Sequence, residues 1–452
     1  MKQLNKERKR QILHILIILL CFFLTSTGYL AWLYRLIDLA PTGVPELIAI
    51  GIGYLCQAVG LGVFALAAHK KPASTSRRTF IITLAAYLSF MVLSVLIKDL
   101  IGIAVFGGLA NLFCGTIAGF YLFYLSKAVP GHKALTFGIG YGTSAFASWI
   151  LSLIGKNTVY QTNIVLILCV TLAAVIIFAL FRIQTPSDAN VKTSFDADRA
   201  SVRKILWAAC GVVFLFSVVN QIGFSFPSSD IAQGVNLELS RLFYAVGLII
   251  AGIVSDKNRK YGAILTLVAL IIPFIMLSLQ KEVVPATIFW ALSYFATGFF
   301  SVYRIILFVD IAHKNNLWFL TGFGLLFGRL GESIGAMIYS VAYEKTVILI
   351  ITAAVLYAVT MLLFFWLYQK MYMPEADREK AERLRFQRFA LKHDLSPREK
   401  EILSLLLTKE TTASIAKQLF VSESTVKFHV HNLLQKTGCK SRKELTELFY
   451  TD

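Results

Sequence analysis

Apolar stretches of roughly 20 residues recur twelve times along this chain, and no other feature limits its fold so strongly. They lie near 11–34, 44–68, 79–97, 101–126, 134–155, 160–181, 204–224, 237–254, 261–279, 284–309, 316–343 and 346–369. About 20 apolar residues at 1.5 Å each cross the ~30 Å hydrocarbon layer of a bilayer. Lipid offers no partner to a free backbone N–H or C=O, so such stretches must be helical. The expected fold is all-α: a polytopic transmembrane bundle of about twelve spans, followed by something different. Residues 371–452 carry the charge density of an ordinary soluble domain, although charged residues make up only 15% of the whole chain. The reading is a membrane domain over 1–370, a charged helical linker over 371–393 and an aqueous domain over 394–452. The basic start, Met1-Lys2-Gln3-Leu4-Asn5-Lys6, precedes an apolar core too long for a cleaved leader, so it reads as a retained first span.

Basic residues set the orientation. With the N-terminus inside, the inner connections hold twenty Lys and Arg, whereas the outer ones hold five: Arg35, Lys98, Lys156, Lys281 and Lys345. This bias predicts a multi-pass protein of the cytoplasmic membrane with both termini in the cytoplasm. Much of the formal net charge of +18 is then topological. Cys21, Cys56, Cys114, Cys169, Cys210 and Cys439 show no metal-ligand spacing, so neither zinc nor structural disulfides are expected. No Gly-x-x-x-x-Gly-Lys cradle, paired metal ligands or receiver-like segment with a phosphorylatable aspartate is present. The chain reads as no enzyme, with no cofactor.

The long polar connection 182–204, containing Thr185-Pro186-Ser187-Asp188, divides the spans six and six. After the eighth span comes Gly252-Ile253-Val254-Ser255-Asp256-Lys257-Asn258-Arg259-Lys260. Together these resemble the major facilitator superfamily and its G-x-x-x-D-(R/K)-x-x-R/K cytoplasmic loop. In that motif glycine allows close helix approach, while the aspartate caps or pairs. The equivalent first-half loop, Ala67-Ala68-His69-Lys70-Lys71-Pro72, departs from the motif because it has no aspartate.

Pro374 suits a first helical turn, and acids then bases follow it to Arg385, which predicts a new solvated helix there. Beyond it, four short helical patterns fill 395–449. Ser396, Pro397 and Glu399 form a capping-box signature, with Ile402, Leu403, Leu405 and Leu406 as the buried face. A second helix over 412–419 offers Ile415, Ala416 and Leu419. Phe420-Val421 make a turn, and Ser422 is placed to cap a third helix, 423–436, burying Val426, Val430, Leu433 and Leu434. Ser441 is placed to cap a fourth over 441–449, with Leu445 and Leu448. Two helices joined by a tight turn, here about 412–431, make a helix-turn-helix.

The register is similar to the LuxR/FixJ-type DNA-binding domain of bacterial regulators. Leu395-Ser396-Pro397-Arg398-Glu399-Lys400-Glu401-Ile402-Leu403 matches its L-(T/S)-P-R-E-x-E-(V/I)-L. Ser414-Ile415-Ala416-Lys417-Gln418-Leu419-Phe420-Val421-Ser422 matches x-I-A-x-x-L-x-(I/V)-S, and Ser424-Thr425-Val426-Lys427-Phe428-His429 matches x-T-V-K-x-H. Lys409 stands where that family has glycine, and Thr412-Ala413-Ser414 replaces its N-K-E. The resemblance implies double-stranded promoter DNA as partner, with Lys427, Phe428 and His431 facing the major groove. Thr425 and His429 are assigned to phosphates, and a structural role for His429 fits equally. It also implies a homodimer through the fourth helix. Nine Lys/Arg against eight Asp/Glu over 394–452 give one copy little net attraction for phosphate.

Charges inside spans are candidate sites by default. Here they are Arg241, Arg304, Arg329 and Glu332, of which Arg329 and Glu332 share a helical face at i and i+3. Two readings stand: a pocket between the halves for an anionic small-molecule effector, or buried pairing that fastens helices. The aromatics Phe295, Phe299, Phe300 and Tyr303 read as packing. The leading function is a membrane-bound one-component transcriptional regulator that senses a small molecule in its transmembrane bundle and binds promoter DNA through its cytoplasmic helix-turn-helix. The alternative is a major-facilitator-type transporter with a fused regulatory DNA-binding domain.

Overall fold

The described residues of all twelve apolar stretches are predominantly helical in the computed structural model, which describes residues 2–40, 44, 47–129, 131–153, 163–183, 199–224, 237–278, 283–342, 345–408 and 410–451. Lys156, Lys281, Lys409, Asp452 and the Thr185-Pro186-Ser187-Asp188 connection lie outside the described residues, as do the side chains of 2–9, Arg241 and 373–381. The chain divides into two units, 1–368 and 369–452. No strand occurs among the described residues.

The first unit holds α1 (Lys2–Leu39), α2 (Tyr54–Lys70), α3 (Arg77–Leu96), α4 (Leu100–Ala128), α5 (Lys133–Leu153) and α6 (Asn163–Arg182). It continues with α7 (Arg199–Phe224), α8 (Leu237–Lys257), α9 (Arg259–Ser278), α10 (Val283–Asn315), α11 (Phe323–Ala342) and the start of α12 (Thr346–Lys392). Among the described residues, eight helices are long and apolar enough to cross a membrane. Their outward side chains are strongly apolar, with Ile101 78% and Leu362 75% exposed. Such exposure is costly in water and neutral against lipid tails.

Two spans do not begin as regular α-helix. A π-helix, Leu47–Gly53, leads into α2, and a 3-10 segment, Trp318–Gly322, leads into α11. The wider π turn loosens the backbone ladder, and the Gly51 carbonyl accepts a 2.6 Å hydrogen bond from Ser333 Oγ on α11. The six-helix halves meet where α5 packs on α8 and α2 on α11. Gly252 permits the first approach, because a Cβ there would lie 2.8 Å from both the Ala134 carbonyl oxygen and the Leu135 Cα.

The second unit contains α13 (Pro397–Leu407), α14 (Thr412–Gln418), α15 (Glu423–Thr437) and α16 (Arg442–Thr451). Its core is its own: Leu395, Ile402, Leu403, Leu406, Ile415, Ala416, Val426, Val430, Leu433, Leu445 and Phe449 are buried together. Leu405, Leu419, Leu434 and Leu448 pack against that core while staying partly buried. Fully burying each large aliphatic side chain contributes about 1.5–3 kcal/mol.

The end of α12 joins this core through Phe389 and Ala390, 2% and 3% exposed. Within the linker expected over 371–393 these two residues are thus buried rather than solvated, with the Phe389 ring edge-on to Phe449 at 5.3 Å. Pro374 does not open a helix either, because it lies inside α12. Proline removes one backbone donor, and the good helix formers on both sides carry the helix through it.

Candidate functional site

Three short polar side chains start the helices of the second unit where the sequence asks for caps. Ser396 Oγ accepts from the Glu399 N–H while Glu399 Oε2 accepts from the Ser396 N–H at 2.8 Å, completing the capping box. Ser422 Oγ accepts from the Thr425 N–H at 3.1 Å and fixes the start of α15. Ser441 Oγ does the same for Glu444 at 3.2 Å. Each such cap contributes about 1 kcal/mol. The turn before α15 closes with Phe420 in the left-handed region at φ 55° and the Val421 N–H donating to the Ala416 carbonyl at 3.0 Å. Gly438 ends α15 at φ 72°, a conformation glycine adopts without Cβ strain.

With Val426, Val430 and Leu433 buried, the opposite face of α15 is fixed. Ser424, Lys427, Phe428, His431 and Gln435 form an exposed strip at helical spacing. Phe428 is 61% exposed, a large apolar ring facing outward on an otherwise polar helix. Thr425 and His429, half-buried, lie on the flank. Thr425 Oγ1 is 2.8 Å from Ser422 Oγ and is therefore engaged in the cap. The structure thus groups Lys427, Phe428 and His431 on the strip, apart from Thr425 and His429. Ser424 and Gln435 join that strip, and their i, i+3, i+4 spacing from Lys427 and His431 was the signal that could have found them.

One ionic clasp holds α15 against the start of α13. Lys436 Nζ donates to Glu399 Oε2 and to the Asp394 carbonyl, both at 2.8 Å, and Glu399 is only 4% exposed. Burial alone would raise the Glu399 carboxyl, but hydrogen bonds from Lys436 and from Ser396 outweigh it and hold the group below the ordinary carboxylate range. A carboxyl depressed on folding stabilises the native state above its unfolded value of about 4.3, and that contribution fades as pH falls through the lower folded value. Urea unfolding of the 371–452 unit should therefore show Glu399→Gln less stable than wild type at pH 6, with the gap narrowing toward pH 3. A pH-independent gap would mean that the carboxylate is not depressed.

In the first unit, a cavity of about 340 Å³ is lined by residues of α1, α2, α4 and α5 from one half and of α7, α8, α10 and α11 from the other. Arg304, Arg329 and Glu332 all line it. Glu332 bridges the two arginines: Arg304 Nη1 donates to Oε1 at 2.6 Å, and Arg329 Nη1 to Oε2 at 2.7 Å. Arg304 has no acid near it in sequence, and its partner lies 28 residues away. The Arg329 guanidinium also sits 3.8 Å from the centre of the Tyr54 ring, so a first-half aromatic touches this second-half charge. The Nε atoms of Arg304 and Arg329 are buried without a hydrogen-bond partner. Two cations against one anion leave the cluster formally positive by one, with donors unspent. Arg241 lies on α8, but its side chain is outside the described residues. Tyr54, Tyr141 and Tyr244, which also line the cavity, are invisible to periodicity because they come from three different helices. Phe299, Phe300 and Tyr303 are buried packing instead, with Phe300 stacked on Phe216 at 4.0 Å.

A second charge cluster joins the halves at the end of α8. Asp256 accepts from the Ala134 and Leu135 N–H groups at 3.1 and 2.7 Å, capping α5 from across the interface. Arg259 ties Asp256 to Asp310 of α10, each at 2.9 Å. The aspartate thus caps and pairs at once. Asp256→Asn removes the charge from both contacts, which should cost the full-length protein about 2 kcal/mol. A lowered thermal midpoint in detergent is the expected readout. An unchanged midpoint would show the cluster to be energetically idle.

Comparison with known proteins matches both units. Residues 393–449 fit the family "Bacterial regulatory proteins, luxR family". The spore germination protein GerE of Bacillus subtilis is 45% identical over 56 residues, 12% of this chain and 76% of GerE. The nitrate/nitrite response regulator NarL of Escherichia coli K12 is 44% identical over 52 residues, 12% of this chain, which spans only 24% of NarL's length. The fold of most of the chain matches transporters. The human organic anion transporter MFSD10 (TETRAN) superposes with a TM-score of 0.55 at 13% identity, covering 79% of this chain and 99% of that one. The major facilitator superfamily proton:xylose symporter XylE gives 0.61 at 9% identity, over 80% and 96%. At these identities the likeness shows the fold alone.

Proposed function

The chain belongs, through residues 393–449, to the luxR family of bacterial regulatory proteins, and from that premise we propose that it is a membrane-bound one-component transcriptional regulator. Its α15 enters the major groove of promoter DNA, where each base pair presents a distinct pattern of donors and acceptors. Lys427 donates to guanine or phosphate, His431 to a base edge, and Phe428 meets a thymine methyl. Thr425 and His429 lie beside phosphates, which fix register without reading sequence. Two copies pair through α16 and read a two-fold site. Twelve spans return the chain to its starting side, and the positive-inside bias makes that side the cytoplasm. The domain boundaries follow as 1–370, 371–393 and 394–452, with Phe389 of the connecting helix contributing to the last.

The observation that carries this reading is the exposed Lys427–Phe428–His431 strip on a capped helix whose other face is buried. The sensing half rests on the cavity. Its unspent guanidinium donors and net positive charge suit an anionic effector. The effector shifts the equilibrium between bundle arrangements only by its difference in affinity for them, and that shift changes how two DNA-binding domains pair. Electrophoretic shift of the DNA upstream of the chain's own gene, using purified 371–452 and the full protein, tests the proposal. No shift with either would overturn it.

The cavity spanning both halves also suits a transporter whose fused domain only regulates it. Uptake into vesicles that survives deletion of 394–452 would favour that second reading.

A further inference from the structure

A second recess lies away from the central cavity, on the outer face of the first unit between α7 and α12. It measures about 530 Å³ and is lined by Arg203, Lys204, Trp207, Gly211, Leu363 and Trp366, with Ala208 between. On α7, Arg203, Trp207 and Gly211 follow one another at i, i+4 and i+8, so they descend a single helix face over roughly 12 Å. Arg203 and Lys204 are exposed, and neither forms an ion pair among the described residues. Trp207 and Trp366 are 67% and 39% exposed. A Cβ on Gly211 would meet only Leu363 Cδ1, at 3.9 Å, so glycine here leaves open space rather than serving close packing. The recess therefore grades from paired cations, through two amphipathic rings, to an apolar floor.

We infer that this recess binds one anionic diacyl phospholipid. The headgroup phosphate lies against Arg203 and Lys204, the glycerol and ester region lies beside Trp207 and Trp366, and an acyl chain runs along Gly211 and Leu363. Charge complementarity selects the occupant: a zwitterionic lipid offers the two cations a phosphate neutralised by its own amine, whereas phosphatidylglycerol offers a net negative charge. Tryptophan's apolar body with one N–H donor suits the headgroup boundary. The leaflet, though not the binding, rests on the orientation read from the basic loops: since α7 starts within the basic 182–204 connection, the lipid comes from the cytoplasmic leaflet. The site is separate from the Arg304–Arg329–Glu332 cluster, and none of its residues lines the central cavity.

The test is native mass spectrometry of the full chain in a neutral detergent, titrated with phosphatidylglycerol or phosphatidylcholine. Each basic side chain at the headgroup contributes about fivefold, so wild type should retain its first phosphatidylglycerol roughly 25-fold more tightly than phosphatidylcholine. Arg203→Ala with Lys204→Ala should reduce that preference to about twofold or less, by the same factor per charge. Gly211→Leu, which keeps both cations and fills the floor, should weaken retention of both lipids. Lipid-free thermal unfolding identifies any variant that has not folded, and if the charge variant fails, Gly211→Leu decides alone. Equal retention of the two lipids by wild type, or unchanged retention in the folded variants, would overturn the assignment. Because the measurement is made in micelles, an error in the orientation would leave its outcome unaltered.

Discussion

Replacing Lys427 by alanine is expected to lower the affinity of the 371–452 unit for its upstream DNA by about 1–3 kcal/mol per protomer, roughly five- to 150-fold. The reason is geometric. Ser422 anchors the first turn of α15, Val426 and Val430 are buried beneath it, and Lys427 is thereby held outward on the strip with Phe428 and His431. The substitution removes no buried atom, so thermal stability should stay within about 0.5 kcal/mol of wild type. The salt dependence then shows what Lys427 touches. If it neutralises a phosphate, the slope of log affinity against log salt becomes shallower by about 1, and every sequence is affected alike. If it reads guanine, the slope changes less and discrimination at one base pair relaxes. Wild-type affinity in both kinds of measurement would mean that the strip does not face DNA.

The largest effect on the membrane unit should come from Glu332→Ala. That change leaves Arg304, 3% exposed, and Arg329 without their shared carboxylate. Removing one side of a buried ion pair costs about 3–5 kcal/mol, because the remaining charge has lost its partner. The full-length variant should accumulate poorly and unfold earlier in detergent. Arg329→Ala should be milder, since the Arg304–Glu332 contact at 2.6 Å survives it. It should instead abolish any response of a promoter reporter to an anionic effector while the protein remains in the membrane. This pairing of outcomes separates the two roles of the cluster. Equal loss of stability from both substitutions would favour a purely structural fastening.

What sequence alone could reveal follows from how far each cause reaches along the chain. The spans were legible because bilayer thickness is imposed on every one of them, whatever its neighbours do. The caps at Ser396, Ser422 and Ser441 were legible because each acts within three residues. The Lys427–Phe428–His431 strip follows from 3.6-residue periodicity once Val426, Val430 and Leu433 are read as core. Contacts between distant segments were not legible. Nothing local connects Arg304 to Glu332, Asp256 to the start of α5, or the Tyr54 ring to Arg329. Pro374 misled because its preference for a first turn is weaker than the helix already running into it. Phe389 misled because the charges around it describe the other faces of α12.

Formaldehyde crosslinking of intact cells, followed by membrane isolation and quantitation of co-purifying DNA, would test most directly whether one polypeptide occupies bilayer and promoter together. Upstream DNA should be enriched with the membranes of cells carrying the wild-type chain and should fall to background with Lys427→Ala, at equal protein levels. Enrichment unaffected by Lys427→Ala, or none in wild type, would contradict a regulator that reads DNA while embedded in lipid.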